Sequence, residues 1–421
     1  MKTLGTVAQY INGRAFKPDE WEEKGIPIIR IQNLNNTNGK YNYSSKTYED
    51  KYLIQRGDLL FAWSASLGAH IWKGDSAWLN QHIFKVIPNI GVDRDYLYYY
   101  LLKVVAELYQ KAHGTGMVHI TKKPFMATPI PVPEYKKQKQ IVKQIEESLS
   151  QLDSAVATLK KTKQQLEIYR QAVLKEAFSG NLTQRWRSSH PDNNLERILS
   201  IVYNNQEQSD VENKLLCEFE LFELPSTWKW ISLGDISNGT EYGTSKKSLK
   251  SGRTPVVRMG NLQNGMIDWT DLSYSNDEEE INKYQLHSGD VLFNRTNSPE
   301  LVGKTAIYRG EQEAIFAGYL IRINQMACIN PEYLNYYMNS HTAKNYGNKV
   351  KTDGVNQSNI NGKKLCTYPF PLCSEEEQKQ VVYELKSRLS LCDSIENTVN
   401  QSLQKAEALR QSILKQAFEG N

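Results

Sequence analysis

Residues 169–181 read YRQAVLKEAFSGN, and residues 409–421 read LRQSILKQAFEGN, an offset of 240. A second match has the same offset, since QKQIV at 138–142 returns as QKQVV at 378–382. Matches at one fixed distance indicate an internal repeat, which has to be recognised before a fold is assigned. The chain therefore contains two copies of one unit.

The first part of each copy varies in length, whereas the last part does not. Residues 26–34 (IPIIRIQNL) match residues 254–262 (TPVVRMGNL) at an offset of 228. Residues 51–61 (KYLIQRGDLLF) match residues 283–293 (KYQLHSGDVLF) at an offset of 232. The offset then reaches 240 and stays there. Each copy is therefore predicted to be a variable globular domain followed by an element of fixed length.

Composition limits the class of protein. Of the 421 residues, 39% are hydrophobic and 23% are charged, which suits a chain that buries a core and does not suit a disordered or membrane protein. The net charge of +4 is too small to indicate a nucleic-acid partner by itself, so the distribution of charge must be considered. The beginning, MKTLGTVAQY, lacks the apolar stretch of a signal peptide.

The cysteines favour a reducing compartment. They are scattered and include no Cys-x-x-Cys pair, which predicts neither a disulfide framework nor a zinc site of the usual spacing. The five cysteines are Cys217, Cys328, Cys366, Cys373 and Cys392. We therefore expect a cytoplasmic protein.

Each globular part is predicted to be rich in β-strands, with one helix. Short apolar runs such as 27–31 and 58–63, separated by Asn and Gly clusters, are typical of strands joined by turns. Helices are predicted over Asp93 to His113 and over Pro331 to Lys349, since both segments carry tyrosines that can pack on a sheet.

The last part of each copy is predicted to be a long helix. Residues 135–178 contain neither Pro nor Gly, and Gly180 follows as a stop signal. Apolar residues recur at heptad spacing in both copies, so each helix carries a seam that another helix must cover. The predicted coiled-coil core consists of Val142, Ile145, Leu149, Leu152, Val156, Leu159, Leu166, Val173, Val382, Leu385, Leu389, Val399, Leu403 and Ile413. Charged residues interrupt the seam at Lys163, Arg170, Glu396 and Arg410.

The segment between the copies decides how the helices can meet. Residues 181–223 are rich in Asn, Gln, Ser and charge and are too long for a tight turn. The chain can therefore run back along the first helix. We expect an antiparallel helix pair with a domain at each end, in a pseudo-twofold monomer.

The repeated motifs resemble those of the DNA-specificity subunit of type I restriction–modification systems, over essentially the whole chain. The resemblance is carried by PIPVPEYKKQKQIV (129–142), RQAVLKEAFSGNLT (170–183), LPSTWKW (224–230), GDVLFNRTNSPELVGKTAIYRG (289–310) and PFPLCSEEEQKQVV (369–382). The fold that it implies is α+β, with two β-rich target-recognition domains separated by two long antiparallel coiled-coil helices and related by the pseudo-twofold internal repeat. The implied divisions are target-recognition domain 1 at 1–133, the first conserved coiled-coil helix of that family at 134–180, a central linker at 181–223, target-recognition domain 2 at 224–371 and the second helix at 372–421.

The resemblance also implies a function without catalysis by this chain. Such a subunit binds a bipartite, asymmetric site on double-stranded DNA, one domain to each half-site. It positions two methyltransferase subunits and, in the full complex, restriction subunits. S-adenosylmethionine, ATP and Mg are expected on those partners, whereas no cofactor, metal or membrane is expected for this chain.

The residues agree with the absence of catalysis. Adenine methylation needs an Asn/Asp-Pro-Pro-aromatic element, and a zinc protease needs His-Glu-x-x-His, and the chain contains neither. Gly303-Lys304-Thr305 is not a phosphate loop, because Ser298 stands where the first glycine is required. The pairs Gly57-Asp58 and Gly289-Asp290 are interpreted as turns that precede strands rather than as catalytic acids.

Candidate DNA contacts are polar residues that follow strands, since Arg and Lys suit guanine whereas Asn and Gln suit adenine in the major groove. In the first domain they are Arg30, Gln32, Asn33, Trp63, Ser64, His119, Lys122 and Lys123. In the second they are Arg258, Asn261, Asn294, Arg295, Thr296, Asn297, Lys363 and Lys364. Any of them can instead be an ordinary loop residue, and Arg30 and Arg258 can instead clamp a carboxylate within the frame. Lys and Arg outnumber Asp and Glu in both domains, which suits phosphate contact.

Two other classes of function remain as alternatives. A purely structural coiled-coil scaffold accounts for the helices but leaves two basic domains without a role. A self-contained methyltransferase or endonuclease needs the motifs that are missing. A scaffold would bind no DNA, and an enzyme would act without partners.

Overall fold

The computed structural model describes residues 2–36, 39–64, 66–111, 122–191, 195–203, 221–355 and 357–419, without the side chains of 108–111 and 122. The chain divides into two compact units. Unit 1 comprises Met1–Thr162 and Thr398–Asn421, and unit 2 comprises Lys163–Asn397. Each long helix therefore contributes residues to both units. No helix among the described residues is long and apolar enough to cross a bilayer.

The described part of unit 1 contains ten strands and four short or medium helices besides its parts of the long helices. The strands are β1 Lys2–Thr3, β2 Ala8–Asn12, β3 Ile26–Ile29, β4 Asn42–Ser44, β5 Leu53–Ile54, β6 Leu59–Ala62, β7 Gly68–Ile71, β8 Ala77–Leu79, β9 Ile83–Pro88 and β10 Pro129–Ile130. The α-helices are α1 Leu4–Val7, α2 Ile31–Asn35, α3 Arg94–Lys111, α4 Lys122–Met126 and the first long helix, α5 Tyr135–Phe178. Single 3-10 turns lie at Pro18–Glu20 and Asp50–Tyr52.

Two four-stranded sheets form the body of unit 1. One is antiparallel with the order β2-β9-β6-β7, and the other has the order β4-β3-β8-β5 with a parallel β3–β8 pair. The short pair β1–β10 joins the beginning of the chain to the strand before α5. All four residues of β6 are buried, as its apolar sequence requires.

Unit 2 repeats this organisation with more elements. Its helices are α6 Gln184–Ser188, α7 Leu195–Tyr203, α8 Glu278–Tyr284, α9 Pro331–Met338, α10 His341–Val350, α11 Gly362–Cys366 and the second long helix, α12 Glu375–Glu419, which ends in unit 1. Its strands are β11 Lys229–Ser232, β12 Ser237–Tyr242, β13 Thr254–Val257, β14 Leu262–Gln263, β15 Met266–Ile267, β16 Ser273–Ser275, β17 Val291–Asn294, β18 Thr296–Asn297, β19 Thr305–Ile307, β20 Ile315–Phe316, β21 Leu320–Gln325, β22 Thr352–Asp353, β23 Ser358–Asn359 and β24 Pro369–Leu372. A 3-10 turn lies at Met259–Asn261.

The sheets of unit 2 correspond to those of unit 1. The antiparallel sheet has the order β12-β21-β17-β19, and a second sheet has the order β16-β13-β20 with a parallel β13–β20 pair. The pair β11–β24 takes the place of β1–β10. A hairpin, β14–β15, and a small polar sheet, β18-β23-β22, are further elements of unit 2. The two domains thus share a frame and differ in what is attached to it.

The predicted turns before β6 and β17 are confirmed. Gly57 and Gly289 have φ angles of +94° and +99°, which glycine adopts without steric cost. The side chains of Asp58 and Asp290 each accept a backbone N–H three residues earlier, at 2.8 and 2.9 Å. Both carboxylates therefore close turns.

The end of a long helix completes each domain core. In unit 2 the ring of Phe178 lies 5.2 Å from the rings of Tyr333 and of Tyr337, whose hydroxyls donate to the carbonyl oxygens of Pro371 and Pro369. Burial raises the pKa of both tyrosines well above its usual value, so the hydroxyls remain donors.

Unit 1 repeats that arrangement with the other helix. The ring of Phe418, near the end of α12, lies 5.2 Å from Tyr96 and 5.0 Å from Tyr100. The two tyrosine hydroxyls donate to the carbonyl oxygens of Pro131 and Pro129, each at 2.7 Å. The Pro-x-Pro motifs therefore supply acceptors for the tyrosines of each domain helix.

A buried glutamine ties each long helix to its domain. The Oε1 of Gln138 accepts the backbone N–H of Asp93 at 2.8 Å, and its Nε2 donates to the carbonyls of Gly91 and Pro133. Gln378 repeats the pattern with the N–H of Asn330 at 2.8 Å and two backbone carbonyls. The repeated Gln-Lys-Gln motif thus has a structural cause.

Every residue of the predicted helix seam is buried or half-buried. The charged interruptions are paired within each unit. Arg170 contacts Asp393 at 2.6 Å and Glu396 at 3.1 Å in unit 2, and Arg410 contacts Asp153 in unit 1. The charged residues in the seam therefore have partners on the other helix.

Two predicted elements differ from the structure. The prediction of a single helix over Pro331 to Lys349 was wrong, because this segment forms two helices, α9 and α10, which are separated by Asn339 and Ser340. The hydroxyl of Ser340 accepts the N–H of Ala343 and so begins a new helix. The apolar run 27–31 is a strand only to Ile29, since α2 begins at Ile31.

The glutamine tie predicts a local loss of stability. Gln378→Ala leaves the N–H of Asn330 and two carbonyls buried without partners, and we expect a cost of about 2–4 kcal/mol in the free energy of unfolding. Gln380→Ala is the matched control, because Gln380 is half-buried and, among the described residues, its side chain donates to Glu384 alone, at 3.3 Å. Urea unfolding followed by circular dichroism measures both variants. Equal midpoints for the two variants would contradict the role of Gln378.

Candidate nucleic-acid interface

Two matching turns hold the first group of candidates. The Oδ1 of Asn33 accepts the backbone N–H of Arg30 at 3.1 Å, and the Oδ1 of Asn261 accepts that of Arg258 at 2.9 Å. Both asparagines are buried, and their Nδ2 atoms donate to backbone carbonyls. Their polar groups are used inside the fold, so we interpret Asn33 and Asn261 as frame residues and not as DNA contacts.

The two arginines of these turns differ from each other. The Nη2 of Arg258 lies 3.3 Å from Oδ2 of Asp271 and also donates to its carbonyl, an arrangement that favours the carboxylate clamp over a DNA contact. The guanidinium of Arg30 lies 5.5 Å from the ring centroid of Trp21. Gln32 is exposed on α2. In this turn, Arg30 and Gln32 remain candidates for DNA contact.

Arg295 follows β17 and is held by its backbone on two sides. Its N–H donates to the carbonyl of Tyr319 at 3.0 Å, and its carbonyl accepts the N–H of Ile360 at 2.9 Å. Its half-buried guanidinium lies 4.8 Å from the ring centroid of Tyr242, a cation–π arrangement. Among the described residues no carboxylate pairs with Arg295, in contrast to Arg258.

Asn294 is not accessible to a ligand. Its side chain is fully buried at the end of β17, and neither amide atom has a hydrogen-bond partner among the described residues. A base cannot reach it without opening the sheet, so the prediction that Asn294 contacts DNA conflicts with its burial.

The next two candidates belong to the small polar sheet. The Oγ1 of Thr296 accepts from Nδ2 of Asn359 at 2.7 Å, across the β18–β23 pair. Asn297 is half-buried and uses its Oδ1 on the N–H of Ser298 at 2.8 Å, which leaves its Nδ2 as the remaining donor. Asn359 is a neighbour that the sequence patterns did not single out.

The lysine candidates lie before the Pro-x-Pro motifs. Lys363 is exposed on α11, whereas Nζ of Lys364 donates to Oγ1 of Thr352 at 2.6 Å. Lys123 is exposed on α4. His119 and the side chain of Lys122 lie outside the described residues.

Trp63 stands in the first domain where Arg295 stands in the second. Its N–H donates to the carbonyl of His82 at 3.1 Å, and its indole Nε1 donates to Oδ1 of Asn12 at 3.1 Å. The indole stacks on Phe84 with centroids 5.8 Å apart. The adjacent Ser64 is buried.

The structure therefore brings Arg295, Thr296 and Asn297 together with three residues that sequence reasoning missed. Those are Tyr242, Tyr319 and Asn359, and the corresponding omissions in the first domain are Asn12 and His82. An alignment of the two copies through β2 and β12 shows that Asn12 and Tyr242 are at equivalent positions, but neither residue carries a motif that marks it as a DNA contact.

Metal chemistry has no support in the described part of the chain, where no group of three or more His, Cys, Asp or Glu residues could hold an ion. The described cysteines Cys328, Cys366, Cys373 and Cys392 are free thiols. Burial raises the pKa of Cys373 well above its usual value, which makes this thiol a poor nucleophile.

Comparison with known proteins gives matches over nearly the whole chain. The family described as "Type I restriction modification DNA specificity domain" matches residues 1–168 and 225–405. The type I restriction enzyme EcoKI specificity subunit of Escherichia coli K12 is 27% identical, over 99% of this chain and 88% of its own length. The EcoBI specificity subunit of Escherichia coli is 25% identical, over 99% of this chain and 85% of its own.

A solved structure shows the same fold. It comes from work on complex assembly and conformational transition of the type I R-M system, and it superposes with a TM-score of 0.67 at 17% identity, covering 99% of this chain and 96% of the other. Because the family model covers most of both repeats, with a domain and a long helix in each, the chain belongs to the family of type I restriction–modification DNA-specificity subunits.

Proposed function

We propose that each β-rich domain reads one half of a bipartite, asymmetric DNA site, and that the paired long helices set the distance between the half-sites. The observation that carries the proposal is the contrast between one frame and two surfaces. The four-stranded antiparallel sheet, the buried glutamine and the tyrosine–proline contacts recur in both units, whereas Trp63 and Arg295 occupy equivalent positions with different chemistry. Two domains that share a fold but carry different residues at equivalent surface positions are suited to an asymmetric DNA site.

The helices support an antiparallel coiled coil. Within unit 2, Lys163 and Arg170 contact Glu396, and Arg170 also contacts Asp393, so residues further along α5 meet residues earlier in α12. Charged residues at seam positions specify register in coiled coils. We therefore propose that these pairs fix the register along the whole seam.

Helix length supports the role of a ruler. The helix α5 has 44 residues and α12 has 45, which corresponds to about 66 Å at about 1.5 Å per residue. This is close to two turns of B-DNA at about 34 Å per turn. Two readers at opposite ends of such a pair can contact separated half-sites and leave a spacer between them uncontacted.

We further propose that the chain has no catalytic activity of its own and acts in the cytoplasm with partner subunits. Its partners would be double-stranded DNA, two methyltransferase subunits and restriction subunits. S-adenosylmethionine, ATP and Mg would bind to those partners. The catalytic motifs missing from the sequence and the match to the specificity-subunit family support this division of labour.

Arg295 is the sharpest test of readout. Its guanidinium has no carboxylate partner among the described residues and is oriented by Tyr242, so it can present two parallel donors to O6 and N7 of guanine. We expect Arg295→Ala to cost about 1–3 kcal/mol on the cognate site and to relax preference at one position of one half-site.

Titrations on substituted duplexes at two salt concentrations distinguish the roles of Arg295. A phosphate contact would instead weaken binding evenly across sequences and lower the salt slope by about one. Arg258→Ala is the matched control, because Arg258 pairs with Asp271 and its loss is expected to leave base preference unchanged. An unchanged base preference with a normal melting curve would remove Arg295 from the interface.

The ruler is tested by removing one heptad from each helix. The deletions are Thr158–Gln164 in α5 and Thr398–Gln404 in α12, which are equivalent segments of the repeat. In both helices the deleted segment lies between two ion pairs, Asp153–Arg410 and Arg170–Asp393. The seam and both ion pairs keep their register. The helices shorten by about 10 Å at about 1.5 Å per residue.

We expect the preferred spacer to shorten by about three base pairs, given about 34 Å per turn of 10 base pairs. Binding is measured on duplexes whose spacers differ by single base pairs. Deletion from one helix only is the control, since it shifts the seam and should weaken every duplex. If the double deletion left the optimal spacer length unchanged, the helices would not set the distance between the half-sites.

Partner number is the third test. The residues after the Pro-x-Pro motifs, 136–143 and 375–379, are proposed to dock two copies of one methyltransferase, because a twofold frame presents nearly equivalent surfaces. The surfaces are unequal in detail, since Lys137 is exposed whereas Glu377 is buried against Thr183 and Arg187. We expect native mass spectrometry to show two copies bound in two distinguishable steps. Saturation at one copy would contradict the proposal.

A further inference from the structure

We propose that Asn12 with Trp63 in unit 1, and Tyr242 with Arg295 in unit 2, form equivalent reading pairs that determine base preference at one matching position of each half-site. The inference rests on the proposed function, namely one domain to each half-site. It adds the residues that choose the base, and it states that the two pairs choose different base pairs.

Backbone hydrogen bonds establish the equivalence. Trp63 follows β6 and donates its N–H to the carbonyl of His82, whereas Arg295 follows β17 and donates to the carbonyl of Tyr319. The partners in the strand on the other side of β9 or β21 also correspond. Asn12 ends β2 and Tyr242 ends β12, and the glycine after each donates its N–H to the first residue of β9 or β21, at 2.9 and 3.4 Å.

Side chains at these positions contact each other in both domains. The indole Nε1 of Trp63 donates to Oδ1 of Asn12 at 3.1 Å, and the guanidinium of Arg295 lies 4.8 Å from the ring centroid of Tyr242. In each pair the last residue of β2 or β12 contacts the residue that follows β6 or β17. The frame preserves the contact while its chemistry changes completely.

The pair in unit 2 presents charge and donors. Tyr242 has its hydroxyl occupied by the N–H of Gly362 at 2.8 Å, so its ring is fixed as a platform. The guanidinium of Arg295 on that platform has no carboxylate partner among the described residues. Two parallel N–H groups of this guanidinium can donate to O6 and N7 of one guanine. The geometry therefore assigns a G·C pair to this position.

The pair in unit 1 presents an apolar face. The only polar group of the Trp63 side chain is its indole N–H, which donates to Oδ1 of Asn12. Trp63 therefore already engages the Oδ1 atom that a bidentate contact with adenine would need, which disfavours that contact for Asn12. The indole, backed by Phe84, remains as an apolar surface, which suits the thymine methyl group in the major groove. This assigns an A·T pair to the matching position of the first half-site.

Reciprocal grafts test the inference in the full chain with its methyltransferase. The forward graft is Asn12→Tyr with Trp63→Arg, and the reverse graft is Tyr242→Asn with Arg295→Trp. His82 is left unchanged, because its backbone φ of +73° strains other side chains. Methylated sites are mapped by sequencing genomic DNA for the unmodified chain and for both grafts.

We expect the forward graft to move one position of the first half-site from A·T to G·C, with a preference change of about tenfold or more, and to leave the second half-site intact. The reverse graft should act on the second half-site alone. If the unmodified chain gives no bipartite site, the proposed function fails. If its site is bipartite but both grafts methylate the same site as the unmodified chain, the reading pairs are refuted. Loss of folding in both grafts, seen by melting curves, would show structural contacts and also count against the inference.

Discussion

Each domain core depends on an aromatic residue from the end of a helix that begins in the other unit. Phe178 closes α5 and packs on the tyrosines of unit 2, and Phe418 closes α12 and packs on those of unit 1. A buried phenylalanine stabilises by about 1.5–3 kcal/mol, with about 0.5–1.5 kcal/mol more for each aromatic pair. Neither core is complete within its own copy of the repeat. The fixed length of the helices follows, because a change in one helix alone would withdraw this residue from its pocket.

Sequence reasoning located the frame well, and the reasons are physical. The bounds of the first long helix, residues 135–178, follow from the absence of Pro and Gly and from the stop at Gly180, and the structure has the same bounds. The turns at Gly57 and Gly289 follow from glycine chemistry. The break at Asn339 was not predicted, because no Pro or Gly lies between Glu332 and Tyr346 and a single serine does not by itself mark the start of a helix.

The candidate interface was harder to predict, because residue type does not reveal burial. Asn33, Asn261 and Asn294 have side chains that suit adenine, yet all three are buried. Tyr242 and Asn12 carry no motif, and only their contacts with Arg295 and Trp63 single them out. The presence of an ion-pair partner distinguishes structural residues from candidate DNA contacts better than residue type does. Lys85 and Arg322 in the central sheets bind Asp58 and Asp290, each at 2.9 Å, whereas Arg295 at the surface has no such partner among the described residues.

Unit 1 is discontinuous in the chain, and this determines the order in which the protein can fold during synthesis. Unit 2 is a single segment, Lys163–Asn397, and all of it emerges before the last residues that unit 1 needs. At about 5 to 20 residues per second, Thr398 follows Thr162 by on the order of ten to fifty seconds. Until then the pocket between Tyr96 and Tyr100 lacks Phe418. The domain that is synthesised first is therefore the last to complete its core, and it waits for the ribosome to finish the chain.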